Sequence, residues 1–392
     1  MRARLRAPAV ALFLCLFAGQ SAALVLSPTL VEIARDFETS PSTIGLLQGI
    51  MGLVAGTTAL ALPRLAGRLA LRDLLLAATA FLALGALLGA AAPGVWMLAL
   101  AQVPIGVALA GLLTAAATGA AEWVAPEQRS RVLAWALAGQ PAAWIVGMPL
   151  IGAVAETSWR LAYLTVPLAA SLVAAYALSG CIAGPPARAA SGATLARLLR
   201  ERAVAAWAAG ELLAFAGWTG MLVYAGALFI ESYATSTALT GVILAGVAVA
   251  YLPGSFLIRR ALPLGIRLLL VSLALASSVA VTVLGTVRFS LGVSVAVLCV
   301  LGLLGGARTF VGSAFGLDAA PDRRLGIMGM RAAATQYGYL VGAAAGAAAI
   351  AASGYGGLGV VLGAFLALAA VPHLLPVRRP SPEPAARGVS AG

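Results

Sequence analysis

Twelve runs of roughly twenty apolar residues follow one another along this chain, each ended by a short break of arginine, proline or glycine. This repetition limits the fold more than any motif does. A helix rises 1.5 Å per residue, so about 20 residues cross the ~30 Å hydrocarbon layer of a bilayer. In that layer every backbone polar group must be satisfied within the protein, which leaves helices or closed barrels. Barrel strands are shorter and alternate in polarity, so helices remain. Charged residues make up only 10% of the 392, against about 25% in soluble domains, and a soluble core could not hide so much apolar surface. The fold class is therefore an all-α integral membrane protein. The spans are expected at 7–28, 43–63, 74–92, 95–121, 132–155, 161–183, 203–229, 238–257, 268–286, 291–316, 329–352 and 357–376.

The opening segment has the order of a secretory signal: basic, apolar, then small residues near Ser21. Its apolar part runs from Ala7 to Pro28, long for a signal core and long enough to span, so it reads as a retained first span. The net charge of +12 is scattered over short loops and forms no single patch, which argues against nucleic acid. Cys15, Cys181 and Cys299 lie far apart in apolar runs and make neither a metal motif nor a disulfide framework.

Arginine is distributed unequally between the breaks. With the N-terminus in the cytoplasm, 20 of the 25 arginines fall on that side. Arg35, Arg160 and Arg288 fall on the other, and Arg308 and Arg331 lie within spans. The bias orients the chain in a cell inner membrane with both termini cytoplasmic. The longest break divides the spans evenly, giving bundles at 1–183 and 203–377 joined by a cytoplasmic linker, 184–202, and followed by a disordered tail, 378–392.

The halves repeat. At an interval of 195 residues Pro126 meets Pro321, Glu127 meets Asp322, Arg129 meets Arg324 and Gly147 meets Gly342. Both passages join the fourth and fifth spans of their half, as in a duplicated six-span unit. Each proline suits a span end, because it lacks an N–H and biases its predecessor away from helix. Arg129 and Arg324 read either as topogenic charges or as partners for acids at other span ends, such as Asp73 or Glu122, in one conformational state.

Six spans, a basic loop and six spans resemble the major facilitator superfamily. "PEQRSR" and "PDRRLG" resemble its Pro-x-x-Arg loops. "GMPLIGAVAETSWRLAYL" resembles its fifth span and sixth-span entry in the drug and sugar efflux branches, and "MGMRAAATQYGYLVG" resembles the eleventh span there. The resemblance implies two pseudo-symmetric six-helix bundles, alternating access, and a central cavity lined by spans one, four, seven and ten. Two departures stand out. In the loop between spans two and three Gly67 and Arg68 are kept, while Leu60 and Arg64 replace a glycine and the acid of the gate latch. In span four Gln102 replaces an arginine that the antiporters place before a glycine.

Ionisable groups inside spans are costly and mark function by default. Glu211 lies nine residues past Arg202 and Arg308 nine before Leu317, so both sit about 13 Å deep from the same side. They are the candidates for proton coupling or substrate binding, with a structural ion pair or misplaced span limits as the other readings. Softer cavity candidates are Gln20, Gln102, Thr114, Thr118, Gln140, Trp144, Trp218, Tyr224, Gln336 and Tyr337. Gate-loop candidates are Gly67, Arg68, Arg129 and Arg324. Glycines at 45, 49, 52 and 56 and at 338, 342 and 346 form small-residue faces for static packing or for rocking of the halves. Trp96, Trp159 and Tyr233 read as interfacial anchors, and His373 as structural.

No phosphate-cradling Gly-x-x-x-x-Gly-Lys loop is present, and one histidine without clustered acids leaves no metal site. No cofactor and no enzyme activity are expected. The chain reads as a monomeric secondary transporter, with a small molecule and protons as partners, exporting drug-like or sugar-like compounds. An uptake permease is the first alternative, and a non-transporting receptor or assembly factor the second.

Overall fold

The computed structural model describes residues 2–66, 69–185, 196–287 and 289–374. The expectations for Gly67 and Arg68, for the linker at 186–195 and for the tail 378–392 lie outside these residues. Eleven helices among the described residues are long and apolar enough to cross a membrane. The first ten are α1 (Pro8–Asp36), α2 (Pro41–Leu62), α3 (Leu71–Ala90), α4 (Val95–Ala120), α5 (Pro126–Ala155), α6 (Trp159–Ser179), α7 (Arg202–Tyr233), α8 (Thr237–Leu264), α9 (Ile266–Thr286) and α10 (Leu291–Ala319). The last segment, Gly326–Leu374, has 49 residues. As one straight helix it would be about 74 Å long, more than twice the hydrocarbon thickness. Its backbone leaves helical geometry at Ser353 and at Gly354, where φ is 62°. Glycine tolerates that left-handed angle. The break separates α11 (324–352) from α12 (355–374), which completes twelve passes in two pseudo-symmetric bundles.

The repeat is visible in the helix starts. Leu71 and Ile266 open α3 and α9, and Pro126 and Pro321 open equivalent 3-10 turns, at the same 195-residue interval. Each turn passes directly into a helix, at Arg129 in one half and Arg324 in the other. Proline suits both starts, since its missing N–H falls where a helix has no acceptor for it.

The first span runs past its expected end at residue 28, through to Asp36. Pro28 cannot donate to the carbonyl of Leu24, and the helix is interrupted at Val25 before resuming. Glu32 therefore stands on a helix and not in a loop. In α5 a π-turn at Ala143–Gly147 precedes Pro149, whose missing N–H frees the carbonyl of Ile145.

The two halves touch most closely at the end away from the N-terminus. Ser27 of α1 donates a 2.6 Å hydrogen bond to the carbonyl of Leu222 in α7. Residues 143–155 of α5 pack on α8. There a Cβ added to Gly152 would lie 2.6 Å from Thr237 O and 3.2 Å from Gly241 Cα, so only glycine permits the approach. Two acids of the first half hold the start of α8. Thr237 Oγ1 donates to Glu32, and Glu156 accepts the Ala238 N–H at 3.2 Å. Both carboxylates suit the positive end of the helix dipole.

The glycine faces divide the labour differently from a simple sliding pair. In α2, Gly49, Gly52 and Gly56 meet α11 across the halves, with Gln336 O only 2.5 Å from a Cβ built on Gly52. In α11, Gly338 and Gly342 turn instead toward α7, inside their own half.

Trp96 is 67% exposed, as a lipid-facing anchor would be. Trp159 is not: it is buried, its Nε1 donates to Asp36 at 3.1 Å, and the Arg160 guanidinium lies 4.3 Å from its ring. Arg160 also reaches Asp36 at 2.6 Å and Ala92 O at 3.0 Å, which ties α1 and α6 to the connection after α3. The Tyr233 hydroxyl is 2.5 Å from that of Ser294 and bridges α7 to α10.

Candidate functional site

Glu211 sits on α7 with no exposed surface at all. Space for its carboxylate comes from α10, where a Cβ on Gly312 would come within 2.5 Å of Glu211 Oε1. The Trp207 indole fixes the same wall by donating to Gly312 O at 2.9 Å. Two arginines close on the carboxylate from different helices. Arg308 Nη1 of α10 lies 3.1 Å from Oε1, and Arg331 Nε of α11 donates to Oε2 at 3.3 Å. The Arg308 contact is an ion pair without hydrogen-bond alignment, because Oε1 receives no well-directed N–H. Arg308 Nη2 donates instead to Gly210 O at 3.1 Å.

This cluster carries one negative and two positive charges. Arg308 is nearly as buried as Glu211, while the Arg331 side chain keeps 17% of its surface exposed. Arg308 Nε and Arg331 Nη2 are buried and have no hydrogen-bond partner among the described residues. Each ion loses several kcal/mol of hydration in such a place, about what a good pair recovers, so a second cation on one carboxylate is poorly compensated. His373 is buried behind the cluster, edge-on to Phe315 at 5.3 Å, and its Nε2 has no partner among the described residues.

One helical turn from the cluster lies a cavity of about 240 Å³. Phe215 follows Glu211 by a turn and Thr335 follows Arg331 by a turn, and both line it. The Arg331 guanidinium lies 5.3 Å from the Phe215 ring, which connects the cluster to the cavity wall. Aromatic side chains dominate the lining: Trp144, Phe215, Trp218, Tyr251 and Tyr339. Gln20 and Gln140 supply polar groups from the first half, and Thr219 and Thr335 from the second. The π-turn of α5 presents Trp144 to this space.

Of the residues singled out from sequence, Glu211 and Arg308 meet, and Gln20, Gln140, Trp144 and Trp218 line this cavity. The others stand outside its lining. Tyr224 is fully buried, and its hydroxyl donates to Ala343 O at 2.7 Å, clamping α7 to α11. Gln336 is buried, with its carbonyl against Gly52, and Tyr337 rests on Gly56. Gln102 is buried, with Nε2 3.4 Å from Leu98 O, and Thr118 reaches Thr114 O at 3.3 Å. Arg129 and Arg324 are exposed and form no ion pair among the described residues, while Asp73 faces its neighbour Arg72 at 3.4 Å.

Arg331, Tyr251, Phe215 and Tyr339 were not singled out by the sequence. Arg331 had a usable signal, an ionisable residue inside a span. The aromatics had none, because in a helix that is apolar all round no periodicity marks the face that lines a cavity.

The family model described as Major Facilitator Superfamily matches residues 12–315. Among solved structures, a bacterial homologue of the human lysosomal transporter Spinster, inward-facing and unoccupied, superposes with a TM-score of 0.81 at 14% identity, covering 94% of this chain and 96% of that one. A D-xylose–proton symporter gives 0.75 at 16% identity, over 94% and 97% of the two chains. The nucleoside transporter NupG gives 0.74 at 14% identity, over 94% and 98%. At these identities the likeness speaks for the fold alone. No curated protein sequence matches the chain.

Proposed function

The chain belongs to the Major Facilitator Superfamily, and from that premise we propose that it is a secondary active transporter that carries a small organic solute through the cavity in step with a proton on Glu211. The observation that carries this reading is the burial of a carboxylate between two arginines, one helical turn from a solute-sized cavity. Protonation of Glu211 cancels its attraction for both arginines at once. A proton there changes the packing of α7 against α10 and α11, which is the kind of bistable contact alternating access needs.

In this reading the bundles 1–183 and 203–377 rock about the cavity, with 184–202 as a cytoplasmic linker and 378–392 as a tail. The chain acts as a monomer in the inner membrane, both termini inside, as the arginine bias supports. Contacts between the halves are tightest at the end away from the N-terminus, which supports a state closed at that end.

Export in exchange for protons is the direction that the loops and the fifth span support by resemblance. Solute and proton must then compete. Import with a proton is the second reading, and the extra arginine favours it, because the site is short of negative charge.

Reconstitution into liposomes holding a pH-sensitive dye tests the function. Solutes that thermally stabilise the purified protein should move protons through the wild type and not through Glu211→Gln. The sign of proton movement distinguishes exchange from co-transport. Equal proton flux in both proteins would remove Glu211 from the coupling. A stabilising solute that never crosses the bilayer would favour a receptor.

A further inference from the structure

The charge count one helical turn from the cavity leads beyond proton coupling to the chemistry of the cargo. Glu211 shares its one negative charge between Arg308 and Arg331, so the cluster keeps one uncompensated positive charge. Arg331 is also the member closest to the cavity: it is the most exposed of the three, stacks on the lining residue Phe215 and stands one turn from the lining residue Thr335. Among the described residues its Nη2 has no hydrogen-bond partner, nor has Nε of Arg308. A buried guanidinium with a free N–H beside an apolar cavity is half of a carboxylate-binding fork.

The duplication shows that these charges are not needed to build the fold. The positions 195 residues before Glu211, Arg308 and Arg331 hold Leu16, Leu113 and Ala136. The first half makes the same six-helix unit with three apolar residues there. A group present in one repeat, absent from the other and costly to bury points to a ligand.

We propose that the cavity takes a small organic monoanion, its carboxylate on Arg331 and its apolar or aromatic body among Trp144, Phe215, Trp218 and Tyr251. The proposal rests on the transport reading above for its cavity, and adds the substrate class. It also sets the coupling. Glu211 faces Arg308 from α10, Arg331 from α11, Tyr251 from α8 and His373 from α12. A bound carboxylate draws Arg331 away from Glu211, and a proton on Glu211 releases the same guanidinium. Anion and proton therefore favour the same arrangement of Arg331 and, by linkage, each other. They travel together, which is the import reading given above.

Benzoate, benzamide and benzylammonium are matched in size and differ in charge, and they test the proposal on the purified full-length protein by calorimetry and thermal stabilisation. Benzoate should bind at least about tenfold tighter than either of the others. Arg331→Gln should lose about tenfold or more in benzoate affinity. This variant leaves the neutral Glu211–Arg308 pair in place, so it is expected to fold. Arg331→Lys should recover part of the loss, and the double variant Glu211→Gln/Arg308→Gln, which keeps Arg331, should still bind benzoate. Benzamide or benzylammonium binding as tightly as benzoate overturns the assignment, as does undiminished benzoate affinity in Arg331→Gln or binding of none of the three. The transport reading fails separately: benzoate that binds through Arg331 but does not cross a proteoliposome membrane keeps the anion site and removes the carrier.

Discussion

Ser27 and Leu222 touch through a 2.6 Å hydrogen bond, and they stand 195 positions apart, the interval that separates Pro126 from Pro321. Equivalent residues of two repeats meet only close to the axis that relates them. The axis of the duplicated bundles thus passes between α1 and α7, where the backbone of Ser27 lies against Gly226. Replacing Ser27 with alanine removes one buried side-chain hydrogen bond and should lower stability by about 1 kcal/mol. Ser27→Leu overpacks the same contact and should cost more, up to about 3 kcal/mol. Unfolding in mixed detergent micelles measures both, and a leucine variant as stable as the wild type would show that the two helices are not tightly apposed there.

The Glu211 cluster predicts an order of stability among its own variants. Glu211→Gln leaves two buried arginines facing each other and should be the most damaging, on the scale of 3–5 kcal/mol for a broken buried pair. Arg331→Gln leaves a neutral pair and should cost clearly less. The double variant Glu211→Gln/Arg308→Gln should be more stable than the sum of its single variants by about 1–3 kcal/mol. Chemical denaturation of the solubilised protein gives the cycle. Strict additivity would mean that the carboxylate and Arg308 do not interact in solution.

Sequence reasoning reached Glu211 and Arg308 by depth alone, since two charges equally far from one membrane face can meet if their helices are neighbours. It missed Arg331 as the third partner for a definable reason. Span eleven was expected to start at 329, which puts Arg331 at the membrane edge. The helix starts at Arg324, and its first turns set Arg331 well inside. Arginine near a helix start reads as a break in a hydropathy pattern, although its apolar stem is compatible with the span. Glu32 lies beyond the span expected at 7–28 for a similar reason, because Pro28 interrupts α1 without ending it. The helices themselves were legible throughout, as each apolar run is long and the breaks are charged. The cavity face was not. Tyr224 and Trp218 lie on the same apolar helix, and only packing decides that one clamps α11 while the other lines the cavity.

The contact at the start of α8 should depend on pH in a defined direction. Glu156 lies in the connection between α5 and α6, where hydrogen bonds from Ser236 and from the Ala238 N–H hold its carboxyl below the ordinary value of 4.5. A carboxyl whose folded-state value is lowered stabilises the contact above its unfolded value and loses that contribution as pH falls through the folded one. The contact should therefore be intact near neutrality and weaken below about pH 4.5. Melting curves of the wild type and Glu156→Gln should differ most near about pH 7 and converge in acid. A difference that grows as pH falls would reverse the sign and exclude this role.

Gly152 and Gly241 offer the most direct handle on whether the halves move apart. A Cβ on Gly152 would lie 2.6 Å from Thr237 O, and one on Gly241 would lie 2.6 Å from Met148 O. Neither position accepts a side chain while α5 and α8 stay this close, so Gly152→Leu should hold the halves apart at that end. In a background with Cys15, Cys181 and Cys299 replaced by alanine, a cysteine in place of Gln20, in the cavity lining, reports access. A membrane-impermeant maleimide applied from the Glu156 side should label position 20 slowly in that background and clearly faster once Gly152→Leu is added. Equal labelling rates in the two proteins would mean that separation of α5 from α8 does not control access to the cavity from that side.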